Sequence, residues 1–343
     1  MPLPFILAGV ALAAGAYGVK KGFDAKSDYN EATETNDYAQ RIYDSASNEL
    51  EQTRNVAQEA LENLGTLKFT LYENRVIPFV AAFKKIHNID FQRDAIDEDF
   101  QLDVNQTDML SIEEAALRMT EVVGGGITAL GAGGLAGLAA YGSVGFLASA
   151  STGTAIASLS GAAATNATLA WLGGGALSAG GLGMAGGAYV LGSIVAGPVL
   201  AIGGMMLASK AEEAKHDAYS NLSRAKVAVE QMKTAQVATQ GVHSHLQEIT
   251  NVLNTLDEVF EPLLDGLQGL VARSPKNQSG KIDYLSLSEE DQKGIMMSMI
   301  IAKTTKNILE APILDDHGII TEVSRKAIND TNASLEDIQK RLA

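Results

Sequence analysis

The sequence predicts an all-α protein in which long antiparallel coiled-coil arms flank a hydrophobic, Gly/Ala-rich helical hairpin. Three observations predict it. Residues 122–209, the 88 positions between Glu121 and Lys210, contain no Asp, Glu, Lys or Arg and hold 23 of the 34 glycines. From Lys210 onward, apolar residues alternate at spacings of three and four for about eight heptads. A weaker pattern of the same kind covers residues 25–86. The expected segments are an N-terminal apolar helix (1–21), a first arm with an acidic connector (22–120), an uncharged segment (121–209), a second arm (210–272) and a C-terminal helical region (273–343).

The apolar stretch 2–19 has no Lys or Arg before it and runs into Lys20 and Lys21. That order reads as an anchor or inserting helix with its basic end on the cytoplasmic side, rather than a secretory signal. In the first arm the spaced residues are Ala39, Ile42, Ala46, Thr53, Val56, Ala60, Leu64, Leu67 and Leu71, with Pro78 as a kink or stop. Residues 88–106 read as an acidic connector, and Ser111-Ile-Glu-Glu114 has the spacing of a capping box that starts the next helix.

The uncharged block is apolar and Gly/Ala-rich on every face, so its natural surroundings are lipid or other helices. A crossing takes about 20 residues, and three pieces fit: 122–148, 154–172 and 180–208. Breaks fall at residues 149–153 and 173–175. The third piece is the most apolar. The second carries Ser158, Ser160, Thr165, Asn166 and Thr168, which must bond to neighbouring helices if it is to lie in lipid.

In the second arm the seam runs Ala211, Ala214, Ala218, Ala225, Ala228, Met232, Ala235, Val242, Leu246, Ile249, Leu253, Leu256, Phe260, Leu263, Leu267 and Leu270, broken only by Asn221 and Thr239. Pro262 is expected to bend the helix near its far end. Beyond a polar loop at 273–281, Ser288-Glu-Glu-Asp291 caps a further helix carrying Met296, Met297, Met299, Ile300 and Ile301. Asp315-Asp-His-Gly318 marks a turn, and a last helix covers about 334–342.

Gly133-x-x-x-Gly137 and Gly183-x-x-x-Gly187, with Gly203, allow close helix approach in lipid; a Gly-rich chain also produces such spacings by chance. Trp171 fits either an interfacial anchor or a packed core position. The glycine runs lack the Lys-Ser/Thr and the acidic residue that nucleotide sites need. His243 and His245, at i and i+2, point to different helix faces and read as solvated surface. No catalytic constellation, metal set or cofactor site is assembled from the sequence, so the expected protein is not an enzyme. The net charge of −15 and the absence of cysteine disfavour nucleic acid as a partner and remove disulfides.

Two arms around the uncharged segment, Glu121 to Lys210, resemble the layout of the helical pore-forming toxins of the cytolysin A and tripartite enterotoxin kind. That resemblance implies a soluble form that hides a hydrophobic head, which inserts as subunits assemble into a ring. The composition is also similar to that of apolipoprotein L and other glycine-zipper membrane proteins. The apolar 2–19 stretch and the length of the uncharged block depart from the toxin layout, and no residue roles carry over. The expected partners are a lipid bilayer, further copies of the chain, and a protein partner bound through the arms. A constitutive membrane scaffold with cytoplasmic arms, and an oligomer that buries the block in its own core, are the alternatives.

Overall fold

The computed structural model describes residues 18–89, 91, 104–124, 135, 138–140, 211–315 and 319–342. These residues are mostly helical. Helix α1 spans Gly18–Leu71, a π turn covers Tyr72–Val76, and α2 spans Ile77–Phe83. Proline has no N–H for the carbonyl one turn back, and its ring crowds that carbonyl. The wide turn immediately before Pro78 gives the ring room, so the helical path continues to Phe83 instead of stopping.

Strand β1, Ile86–His87, pairs in parallel with β2, Ile282–Asp283. His87 Nδ1 lies 2.7 Å from the Ile282 carbonyl, which makes Nδ1 the protonated nitrogen and leaves Nε2 to accept from the Asn277 amide at 3.1 Å. Asn88 closes this corner in the left-handed region at φ 59°, a conformation its short polar side chain tolerates.

Helix α3, Gln106–Gly124, starts five residues before the expected capping box. Asn105 is the true cap: its Oδ1 accepts from Thr107 N (2.9 Å) and Asp108 N (3.1 Å), while Asp108 Oδ2 accepts from Asn105 N at 2.9 Å. The reciprocal bonding is that of a capping box with Asn and Asp in place of Ser and Glu.

Helix α4, Ala211–Arg273, continues through Pro262. Helix α5, Glu289–Glu310, begins at the expected cap, where Ser288 Oγ accepts from Asp291 N at 3.2 Å. Helix α6 spans Glu322–Leu342, twelve residues more than expected at its N-terminus. Its buried stripe is Ser324, Ile328, Thr331, Leu335 and Ile338. Two hydroxyl residues on that stripe weaken the apolar pattern that marks a helix. Thr321 caps it, accepting from Ser324 N at 3.0 Å and donating to the Pro312 carbonyl. The expected turn at 315–318 is bracketed by an antiparallel bridge between Leu314 and Ile320; residues 316–318 lie outside the described ones.

The chain divides into two compact units, residues 1–55 with 195–240, and residues 56–194 with 241–343. In the first unit Glu31 bonds Tyr219 (2.6 Å), Asn36 bonds Asn221 (3.3 Å) and Thr53 bonds Gln236 (3.4 Å). Partner numbers rise together, so α1 and α4 run parallel. The second unit repeats that sense, with Arg75 on Asp257 at 2.6 Å and, further along both segments, Phe79 against Phe260. This corrects the expected antiparallel arms. A heptad pattern carries no direction, and only a short connection forces neighbouring helices to be antiparallel. Residues 84–210 form a connection long enough to bring the chain back.

The buried stripe of α1 also differs from the expected seam. Ala39, Ala46, Leu64 and Leu71 are buried, but Val56 is 49% exposed, and Leu50, Ala57, Leu61 and Lys68 take inner positions. In α4 the buried set follows the expected register from Ala218 to Phe260, except that Ala235 is half-buried. Leu264 is then buried where Leu263 is half-buried. Leu267 and Leu270 are buried again in the expected register, so the departure past Phe260 is confined to that one position. The polar interruptions are satisfied: Asn221 by Asn36, and Thr239 by the Ala235 carbonyl at 2.8 Å.

The second unit holds the larger core. Phe79 packs against Phe83 (5.3 Å) and edge-on against Phe260 (6.1 Å). Tyr72, Ile112, Met119, Met296, Met299 and Ile301 are buried with them.

Candidate functional site

Sequence reasoning placed candidate residues at Gly133, Gly137, Gly183, Gly187, Gly203 and Trp171, all of which lie outside the described residues. So do residues 1–17 of the N-terminal apolar stretch, most of the expected 122–148 piece, and the whole of 154–172 and 180–208. Among the described residues no helix is long and apolar enough to cross a membrane. The seam residues Leu246, Ile249, Leu253, Leu256 and Phe260 are at most 2% exposed.

A different site emerges in the second unit, where described residues of the uncharged block meet the charged helices. Leu138, Ala139 and Ala140 have no exposed surface. The Ala139 and Ala140 carbonyls find partners outside their own segment. Ile313 N donates to the Ala140 carbonyl at 2.7 Å, with Leu314 N at 3.4 Å. Lys68 Nζ donates to the Ala139 carbonyl at 3.0 Å and to the Leu309 carbonyl at 3.1 Å.

The Leu309 carbonyl belongs to the last turn of α5, whose final carbonyls have no partner within the helix. Lys68 therefore caps α5 and holds the uncharged segment with the same nitrogen. A cation is favoured at that negative end of the helix dipole. The approach is close because of one glycine. A Cβ on Gly65 would stand 2.0 Å from the Leu135 carbonyl oxygen and 2.5 Å from its carbon, so only glycine lets this backbone cross α1 here.

Lys68 is 0% exposed, and among the described residues no carboxylate stands in ion-pair range of it. Burial alone pushes its ammonium down to about 7. Removing an unpaired charge from water costs several kcal/mol, so the group sheds its proton far more readily than a solvated lysine. The neighbouring charges are committed elsewhere. Lys306 pairs with Glu310 at 2.7 Å, and Arg118 reaches Glu310 at 3.9 Å and Glu114 at 3.4 Å.

A second constellation joins α4 to α6. His245, expected as solvated surface, is only 7% exposed; its Nε2 meets Ser324 Oγ, and its Nδ1 lies 3.6 Å from Glu248. Burial pushes its pKa down, Glu248 pulls it up, and Arg325 pushes it down further. The residue types are those of a nucleophile, base and acid. Ser324, however, is 1% exposed and sits in the first turn of α6 with its N–H bound to Thr321 Oγ1, so no substrate carbonyl reaches its hydroxyl. The arrangement satisfies one buried hydroxyl and one buried imidazole and fastens two helices.

Neither Lys68 nor Gly65 stands out in the sequence, because a lysine on a helix normally marks the solvent face. Their signal is positional: the stripe Ala57, Leu61, Leu64 continues through 68 to Tyr72. No protein-family model, no curated protein and no solved structure matches the chain.

Proposed function

We propose that this is a non-enzymatic, membrane-active protein that inserts a hydrophobic helical hairpin from residues 122–209 and oligomerises through coiled-coil arms, with pore formation as the specific form. The observation that carries it is the uncharged block itself, 88 residues without a formal charge in a chain of net charge −15. A domain that stays in water has no use for so long a segment without a polar stripe. The parallel sense of α1 and α4 adds support. Both helices begin at the same end of their unit, each directly after an apolar stretch, and Lys20, Lys21 and Lys210 mark the two boundaries. Two apolar segments that lead into one end can enter one bilayer from one side.

The net negative charge means that apolar insertion, rather than attraction to anionic lipid, supplies the binding energy. The test is leakage and flotation with dye-loaded phosphatidylcholine liposomes and detergent-free protein. Leakage with flotation supports the reading, and the Gly133→Leu/Gly137→Leu or Gly183→Leu/Gly187→Leu pair should then reduce leakage by impairing assembly. Flotation without leakage favours the second reading, a constitutive membrane scaffold with both arms in the cytoplasm, for which the position of the three lysines speaks equally. Neither leakage nor flotation points to a block buried in an oligomeric core.

A further inference from the structure

We propose that Lys68 is a proton-operated fastener that holds Leu135 and residues 138–140 of the uncharged block against the helical body until the segment is released. The inference rests on the membrane-active reading for its purpose, but its geometry stands without it. Three contacts hold the segment: the Lys68 bond to the Ala139 carbonyl, the Ile313 and Leu314 amides on the Ala140 carbonyl, and the close crossing at Gly65. Of these, only the lysine can change its charge.

The groups around it leave that change uncompensated. The 138–140 and 311–314 segments carry no titratable side chain. From α5 come Lys306 and Glu310, which pair with each other, and from α3 come Arg118, bound to Glu114 and Glu310, and Asp108, bound to Lys303 at 3.1 Å. In the π turn that follows α1, Glu73 is exposed. A protonated Lys68 keeps its two carbonyl acceptors but has no anion beside it.

Release takes Lys68 into water and restores its ordinary affinity for a proton, so one proton is taken up per release. The released form binds more protons than the fastened one between pH about 7, where burial has moved the ammonium, and about 10.5. Fastening is therefore strongest at high pH, weakens by up to about tenfold per unit as pH falls toward 7, and is flat below that. This window lies above that of a switch built on carboxylates, which acts below pH about 5.

The experiment is hydrogen exchange on the full chain from pH 6 to 9.5, corrected for intrinsic exchange, comparing peptides covering 135–140 and 311–314 with one covering 246–260. In the wild type the protection of the first two, relative to the third, should rise on the order of 50-fold from pH 7 to 9 and stay level below 7. Lys68→Met should abolish that rise, and Lys68→Arg, which keeps its charge, should leave both peptides weakly protected throughout. A flat wild-type profile, or a rise that survives in Lys68→Met, overturns the fastener; the wild-type profile decides even if a variant folds poorly. Flotation of the same samples with phosphatidylcholine liposomes separates the two ideas. A Lys68-dependent exchange profile without flotation upholds the fastener and defeats the membrane reading. Flotation and leakage at every pH, with exchange indifferent to Lys68, does the reverse.

Discussion

The two units use one kind of helix pairing with very different filling. In the first, the inner positions among the described residues are Ala32, Ala39 and Ala46 on α1 and Ala218, Ala225 and Ala228 on α4, joined by Leu50, Met232 and Thr239. In the second, α4 presents Leu246, Ile249, Leu253, Leu256 and Phe260 from the same register, against a core that also holds Tyr72 and Phe79. Each Leu in place of Ala buries three more carbons, about 2 kcal/mol per position. A single sequence rhythm thus builds one unit on bulky side chains and one on methyl groups. The difference teaches that periodicity reports which residues face inward and leaves the strength of the contact to side-chain size. The thin unit is the one whose helices begin beside the apolar stretches.

The largest expected effect comes from the bulky unit. Phe260 has no exposed surface and meets Phe79 edge-on, so Phe260→Ala should cost about 3–5 kcal/mol. Met232→Ala in the thin unit should cost about 2 kcal/mol, because Met232 keeps 8% of its surface exposed and clusters with Ala46, Leu50 and Ala228. Denaturant titration gives both values. Native-state exchange adds the location: amides of 246–270 should outlast those of 218–240. Equal protection across α4 would break the comparison.

Glycines sharpen it at the next level down. Gly65→Ala drives a methyl into the Leu135 backbone and should cost about 1–3 kcal/mol, read as faster exchange in 135–140. Gly241 lies in α4 where the second unit begins, with nothing within 4 Å of an added Cβ. Gly241→Ala should therefore stabilise the helix by about 0.5–1 kcal/mol. If both substitutions had the same sign, the close crossing over α1 would be absent.

How far the sequence discloses this depends on which physical signal each feature leaves. The helical class, the extent of α4 and the Ser288 cap are all readable, because apolar spacing and a capping serine are local. The stripe of α1 is not, since Arg54 and Lys68 sit on it and charged residues read as solvent. Arg54 is half-buried with Nε and Nη2 out of water, and burial lowers its pKa while Glu51 raises it. The start of α6 is hidden for a related reason, its inner face being part serine and threonine. Helix direction leaves no local trace; only contacts such as Asn36 on Asn221 reveal it. The fastening site is illegible in sequence because it is made of backbone carbonyls from residues far apart in the chain.

The smallest effect on stability tests helix direction most directly. Asn221 interrupts the alanine seam and donates to Asn36 at 3.3 Å, both residues being half-buried. Asn221→Leu gains apolar burial and loses one bond worth about 0.5–1.5 kcal/mol, so the net change should fall within about 0.5 kcal/mol. Its consequence is specificity: a polar residue on an inner position fixes one pairing, and methyl groups alone fix it weakly. The chain has no cysteine, so a Thr53→Cys/Gln236→Cys pair can be bridged cleanly by a short thiol crosslinker. Efficient bridging is expected only if α1 and α4 run parallel in this register, and Asn221→Leu should lower the yield while barely moving the unfolding midpoint. A yield unaffected by Asn221→Leu would mean that the alanine seam alone holds the register.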